Sequence, residues 1–166
     1  YKSENPWADF ANAGITDKQI ASGWMFRNAD QPANILEEDS ETPWLTSETI
    51  RFLDQAEGLW MAHVSYIKPH WPYIVPAPYH NMYGANHVPS AKRHDVERAD
   101  PHPVYSAYME NKIASAFQRD EVRAKVIPAY MGLIKQCDDQ LGRLLDHLEV
   151  TGKMNNTMIV LTSDHG

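Results

Sequence analysis

Two short apolar runs, at residues 59–67 and 157–162, have the character of β-strands. Both are nearly continuous in apolar residues and do not alternate with polar ones, which is typical of parallel strands buried on both faces. Between them, apolar residues recur at spacings of three and four from about residue 119 to residue 151, which predicts one long amphipathic helix. We expect its buried face to consist of Ile127, Tyr130, Met131, Ile134, Cys137, Leu141, Leu144, Leu145 and Leu148.

Shorter helices are predicted before and between these elements. One should begin near Thr46, with Thr46 or Ser47 as its N-cap, and end at Gly58. Another is expected over residues 104–117, and Gly152 should end the long helix. This order of elements, a strand followed by helices and a second strand, predicts a right-handed βαβ crossover. The predicted fold class is therefore α/β, with a mostly parallel central sheet flanked by helices.

The 166 residues divide into four predicted segments of one larger α/β domain. Residues 1–45 are expected to be irregular and to wrap another surface, because their aromatic residues follow no steady period. Residues 46–73 should form a helix, a strand and a loop, and the proline-rich residues 74–105 a loop insertion. Residues 106–166 should supply the later helices, the second strand and a final loop. A chain that opens on Tyr1 and stops at Gly166, where a loop should continue, is expected to be a fragment.

The composition limits the kinds of partner that the protein could bind. The chain carries 22 acidic and 15 basic residues, a net charge of −7, and offers no dense basic stripe for nucleic acid. No apolar run reaches membrane-spanning length, so we expect no membrane partner. Because Cys137 is the one cysteine, no internal disulfide can form. Cysteine usage therefore does not identify the cellular compartment, for which the cytoplasm is slightly favoured.

Polar side chains suited to chemistry follow both apolar runs. Lys68 and His70 follow the first run, on a loop that prolines stiffen, and Asp164 and His165 follow the second. Because the carboxyl ends of parallel strands meet at one edge of a sheet, these four residues should lie at the same rim. The alternative is a polar loop in which Asp164 caps a following helix and His165 is solvated, with His70 packed on Trp71.

Other titratable residues are interpreted as structural. His63 lies inside the first run and is expected to be a core histidine with a satisfied ring. Asp138 and Asp139 are adjacent on the long helix and should point about 100° apart, so they are expected to be packing or polar-face residues. The loop histidines match no tight metal spacing and are expected to be solvated: His80, His87, His94 and His102.

Three blocks of the sequence resemble the sulfatase and phosphonate monoester hydrolase branch of the alkaline phosphatase superfamily. They are residues His63–Tyr73, Tyr130–Leu145 and Thr157–Gly166, which together hold the motifs K-P-H-W-P, D-D-x-x-G-R-x-L and T-S-D-H-G. The first motif and the stretch His102–Met109 look most like phosphonate monoester hydrolases. The resemblance covers about residues 55–166 and implies part of an alkaline-phosphatase-like sandwich.

This resemblance implies a metal-dependent hydrolase of phosphonate or phosphate esters. One divalent ion (Mn, Fe, Zn or Ca) would be held by Asp164 and His165 together with ligands outside this sequence. His70 would protonate the leaving oxygen or steady a substrate oxygen, and Lys68 would attract the anionic ester. The formylglycine nucleophile of the family is expected outside this segment, since Cys137 is not followed by the Pro and Arg of a C-x-P-x-R motif. The fragment alone would be inactive, and the full-length protein is expected to be a homo-oligomer.

Two alternatives stay open. One is an arylsulfatase on the same scaffold, because sulfate and phosphonate esters are close in shape. The other is a non-catalytic fragment whose aromatic residues stack on a sugar or peptide: Trp60, Trp71, Tyr73 and Tyr79. A C-x-P-x-R motif upstream of this sequence would decide for an enzyme.

Overall fold

The structure, a computed structural model, describes residues 25–165, the side chains of Lys112 and Ile113 excepted. Its α-helices are α1 (Glu41–Gln55), α2 (Val96–Ala99), α3 (Pro103–Glu110), α4 (Lys112–Ala116) and α5 (Asp120–Val150). Short 3₁₀ helices lie at Glu37–Asp39, Tyr79–Asn81, Ala85–His87 and Met154–Asn156. The first 24 residues of the predicted wrapping segment lie outside the described part.

The long helix α5 has the bounds that the sequence predicted. It runs for 31 residues, about 46 Å at the usual rise per residue. Asp120 and Glu121 place negative charge in its first turn, where the helix dipole favours it. Gly152, with φ +70°, follows its end and takes a backbone conformation that other residues rarely adopt. None of the helices among residues 25–165 has the length and apolar character needed to cross a bilayer.

The buried face of α5 differs from the predicted one. Its buried residues are Val122, Val126, Pro128, Ala129, Gly132, Leu133, Gln136, Gln140 and Leu148. Only Leu148 belongs to the predicted set, and Ile134 of that set is 43% exposed. The prediction was wrong because periodicity identifies the apolar stripe of a helix but not the side on which its neighbours pack. Here the neighbours are α1 and the segment near Tyr79.

The apolar core lies where α5 meets the segment near Tyr79. Val126, Ala129 and Leu133 of α5 cluster with Met25, Val75 and Tyr79. A Cβ on Gly132 would stand 2.4 Å from the carbonyl oxygen of Tyr79 and 3.3 Å from Val75 Cγ1. The 3₁₀ turn at Tyr79–Asn81 can therefore lie directly on α5 because residue 132 has no side chain.

The interface of α5 with α1 and with the residues just before α1 is polar. Gln136 Nε2 donates to Ser40 Oγ (2.9 Å) and Glu37 Oε1 (3.2 Å), and Gln140 Nε2 donates to the same Glu37 oxygen (3.2 Å). The buried polar residues among those described are Thr42, Thr46, Thr49, Gln136 and Gln140. Paired in this way, the amides avoid the cost of burial without a partner.

Helix α1 begins at Glu41, five residues before the predicted start. The helix can include Pro43 because a proline in the first turn costs no hydrogen bond. Thr46 and Ser47 are not caps. Their hydroxyls donate to the carbonyls four residues earlier, at Thr42 (3.0 Å) and Pro43 (2.9 Å).

The two predicted strands are not paired within residues 25–165. Neither run forms a β-ladder, and both are largely exposed, with Leu59 at 103% and Met158 at 88%. His63 is exposed as well, so its interpretation as a core histidine was wrong. The physical reason is that an extended segment is buried only when neighbouring strands pair its backbone and other elements cover its faces. The parallel sheet thus stays a prediction.

The starts of the two runs nevertheless lie close together. Gly58 and Trp60 line the same groove as Asn156 and Thr157. The ammonium of Lys153 donates to the Leu53 carbonyl near the end of α1, which holds the two segments side by side. This arrangement is compatible with neighbouring strands that begin at one end of a sheet.

We predict that Gly132→Ala destabilises the full-length protein by about 1–3 kcal/mol, the usual cost of overpacking. The added methyl would collide with backbone at Tyr79, which cannot move without disturbing the core. Gly142→Ala on the same helix is the matched control. Its Cβ would meet nothing within 4 Å, so we expect a gain of about 0.5–1 kcal/mol. Denaturant unfolding followed by circular dichroism measures both, and equal effects of the two changes would contradict the packing described.

Candidate functional site

His70 lies at the exposed tip of the loop that follows the first apolar run. Its backbone N–H donates to the Ile67 carbonyl at 3.0 Å, which closes a turn. Its Nδ1 lies 2.6 Å from the Trp71 carbonyl oxygen, and its ring stacks on the Trp71 ring at 5.9 Å. Because a carbonyl only accepts, Nδ1 carries the proton, and Nε2 holds the basic lone pair in the neutral ring.

Lys68 turns back onto its own loop. Its Nζ donates to the carbonyls of Pro72 (3.4 Å) and His70 (3.5 Å), which are long hydrogen bonds. Burial lowers the pKa of this amine, against the opposing effect of the Glu41 carboxylate. The side chain that the sequence suggested for attracting an anion therefore also holds together the loop that carries His70.

Asp164 and His165 stand side by side at the end of the second run. Their side chains are 89% and 76% exposed, and the His165 backbone N–H donates to Asp164 Oδ1 at 3.0 Å. His165 Nε2 lies 3.8 Å from Asp164 Oδ2. Two ligands of one ion can have this separation, because each bond to the metal is about 2.1 Å long. The separation is shorter than two such bonds end to end, about 4.2 Å, so both donors can reach one ion.

The described residues do not complete a metal site. No group of three or more His, Cys, Asp and Glu side chains comes together among them in a way that could hold an ion. The role of Asp164 and His165 as metal ligands therefore stays a prediction. The convergence of Lys68 and His70 with this pair at one rim stays a prediction.

The Asp138–Asp139 pair has the structural role that the sequence indicated. Asp139 accepts a hydrogen bond from the Tyr79 hydroxyl at 2.9 Å and pairs with the Lys135 ammonium. These two donors, Lys135 first, lower the pKa of the Asp139 carboxyl. Asp138 is largely exposed and lies 3.6 Å from the same ammonium.

Three of the loop histidines cap local turns of the backbone, which is a more specific role than the solvation we expected. In each, the ring Nδ1 accepts a backbone N–H: Gly84 N to His87 (3.0 Å), Val96 N to His94 (3.3 Å) and Val104 N to His102 (3.3 Å). A short polar side chain that bonds nearby backbone in this way favours turns and helix starts. The sequence alone did not predict this capping role.

The four aromatic residues proposed for ligand stacking contact other side chains. Tyr79 is buried and bonded to Asp139, and Tyr73 packs edge-on against Tyr130 with ring centroids 5.3 Å apart. Trp60 meets Phe52 at 6.4 Å, and Trp71 stacks on His70. These contacts favour packing roles over a platform for a sugar or peptide.

Comparison with known proteins identifies relatives over most of the chain. The sulfatase family model matches residues 11–166. The multifunctional alkaline phosphatase superfamily protein PehA of Trinickia caryophylli is 33% identical over 150 residues, which cover 82% of this chain and 29% of that protein. An arylsulfatase of Clostridium perfringens is 32% identical over 127 residues, which cover 75% of this chain and 26% of that protein.

The fold also has a solved relative. The phosphonate monoester hydrolase of Agrobacterium radiobacter superposes with a TM-score of 0.66 and 28% sequence identity, over 76% of this chain and 27% of that one. The chain thus spans between a quarter and a third of the length of these relatives. The likeness shows that it shares the alkaline-phosphatase-like fold of these enzymes over the matched part.

We predict that Asp139→Asn lowers stability at neutral pH and that Asp138→Asn changes it little. The folded-state pKa of Asp139 is depressed, so its ionised form stabilises the fold above the unfolded pKa, near 3.9. That contribution is lost as pH falls through the lowered folded-state pKa. The difference in melting temperature between wild type and Asp139→Asn should therefore shrink below about pH 4. A difference that grows on acidification would contradict the ion pair.

Proposed function

The chain belongs to the sulfatase family, and we propose that it supplies one rim of the active site of a metal-dependent phosphonate or phosphate ester hydrolase. The observation that carries this proposal is the Asp164–His165 pair, whose side-chain donors lie 3.8 Å apart at the end of a strand-like run. A carboxylate oxygen and an imidazole nitrogen together suit Mn, Fe or Zn better than they suit Ca, which prefers oxygen ligands alone.

The rest of the site would come from residues outside this sequence. A divalent ion bound at Asp164 and His165 would offset the negative charge of the non-bridging ester oxygens as it builds up. The formylglycine nucleophile would also lie elsewhere, since Cys137 is followed by Asp138, Asp139 and Gln140 and lacks the required proline and arginine. Completion by other segments agrees with relatives that are about three times as long as this chain.

His70 is the residue of this chain best suited to move a proton. The Trp71 carbonyl fixes the proton on Nδ1, so Nε2 accepts a proton when the ring is neutral and donates one when it is charged. A histidine changes charge near neutral pH, which suits transfer of a proton to a leaving oxygen. The exposed position of His70 at the loop tip leaves it reachable by a substrate.

Lys68 would contribute in two ways, through its charge and through the shape of the loop. Its ammonium adds positive charge beside His70, which favours an anionic ester. Its bonds to the loop carbonyls also keep the loop in one shape.

An arylsulfatase activity is the second candidate, supported by the 32% identity to the Clostridium perfringens enzyme. The two activities differ in the charge and leaving group of the ester. A panel of phosphonate, phosphate and sulfate monoesters with one common aryl leaving group would separate them by kcat/KM.

In the full-length enzyme, Asp164→Ala should abolish metal binding and turnover together, because it removes a charged ligand of the ion. His70→Ala should keep the metal and slow kcat by about 10²–10⁴-fold, the usual contribution of a positioned acid or base. Metal stoichiometry by mass spectrometry and kcat with an aryl phosphonate are measured on the same preparations.

His87→Ala is the matched control, since this histidine caps a distant 3₁₀ turn and should change neither metal content nor kcat. Loss of metal in His70→Ala, or full metal content in Asp164→Ala, would refute the roles assigned here.

A further inference from the structure

The loop that carries His70 is fastened on both sides of its tip. Before the tip, the Tyr66 hydroxyl hydrogen-bonds Thr46 Oγ1 of α1 at 2.6 Å. After the tip, the Tyr73 ring packs on Tyr130 of α5, and the Tyr73 N–H donates to Met25 Sδ at 3.3 Å. Between these points the chain reaches solvent at His70. A histidine held in this way is presented with little freedom of its backbone.

One contact lies closer to His70 than the others. The Cys137 thiol of α5 donates to the Lys68 carbonyl, with Sγ and O 3.3 Å apart. Lys68 is two residues before His70, and its own ammonium bonds the carbonyls of His70 and Pro72. A shift of the Lys68 backbone would therefore move the carbonyl oxygens that define the tip.

Cys137 is itself held in place. Thr42 of α1, which is 2% exposed, lies close enough to the thiol to oppose part of the rise in its pKa. Burial raises the pKa of the thiol, so it stays protonated at neutral pH and can donate. Cys137 thus lies where α1, α5 and the His70 loop meet.

We propose that Cys137 is a positioning residue for His70, acting through the Lys68 carbonyl. The proposal rests on the function proposed above, in which His70 moves a proton. A catalytic group displaced by about 1 Å can lose 10²-fold in rate, so a bond that fixes the loop backbone can matter to catalysis without touching the substrate. The effect should fall on kcat more than on KM, because proton transfer depends more steeply on the position of the His70 ring than charge attraction by Lys68 does.

The test compares Cys137→Ala, which removes the donor, with Cys137→Ser, which restores a donor of similar size. Asp138→Asn is the control. Asp138 is adjacent to Cys137 on α5, but its carboxylate lies near Lys135. In the full-length, metal-loaded enzyme we expect Cys137→Ala to lower kcat about 10–100-fold with KM changed less than about threefold. Cys137→Ser should recover most of kcat, and Asp138→Asn should match wild type.

Hydrogen exchange of the His70 backbone N–H, which bonds the Ile67 carbonyl, gives a readout independent of activity. It should exchange faster in Cys137→Ala than in wild type or Cys137→Ser, with metal content equal in all. Wild-type kcat in Cys137→Ala, or equal loss in the alanine and serine variants, would overturn the proposal. If the wild-type enzyme hydrolysed no ester of the panel, the proposed function would fail, and exchange alone would still show whether Cys137 fastens the loop.

Discussion

The close approach of Gly132 to the backbone of Tyr79 is the contact on which the arrangement of this part of the chain depends. It lets the 3₁₀ turn at Tyr79 lie on α5, which brings Val75 into the core and the Tyr79 hydroxyl to Asp139. The preceding residues, including the loop that carries His70, are thereby drawn along the same helix. A side chain at residue 132 would separate the two surfaces.

A second constraint is the apolar surface that stays exposed within residues 25–165. The runs at 59–67 and 157–162 are unpaired within residues 25–165, and Ile134 on α5 is exposed as well. Apolar strands and an apolar helix stripe of this kind are normally covered by a sheet and its neighbouring strands. The relatives are about three times as long, so we propose that other segments of a larger domain pair these runs and cover the stripe.

The features that the sequence predicted well are those set by local chemistry. The apolar spacing and the glycine at residue 152 predicted the bounds of α5, and adjacent positions on a helix implied that Asp138 and Asp139 do not form a metal site. The buried face of α5 could not be predicted, because it depends on which partners pack there. The contact between Cys137 and the Lys68 carbonyl joins residues 69 positions apart, and no sequence period encodes it. The Asp164–His165 pair could be proposed from the sequence because its two donors are neighbours, whereas no third candidate ligand joins it among the described residues.

The central claim is that the His70 loop and the Asp164–His165 pair share one rim of the sheet. The most direct test is a crystal structure of the full-length, metal-loaded protein with a phosphonate product bound. The account predicts the ion on Asp164 and His165, with the His70 imidazole facing the same phosphonate. A structure in which the ion binds elsewhere, or in which His70 lies at the opposite edge of the sheet from Asp164 and His165, would contradict it.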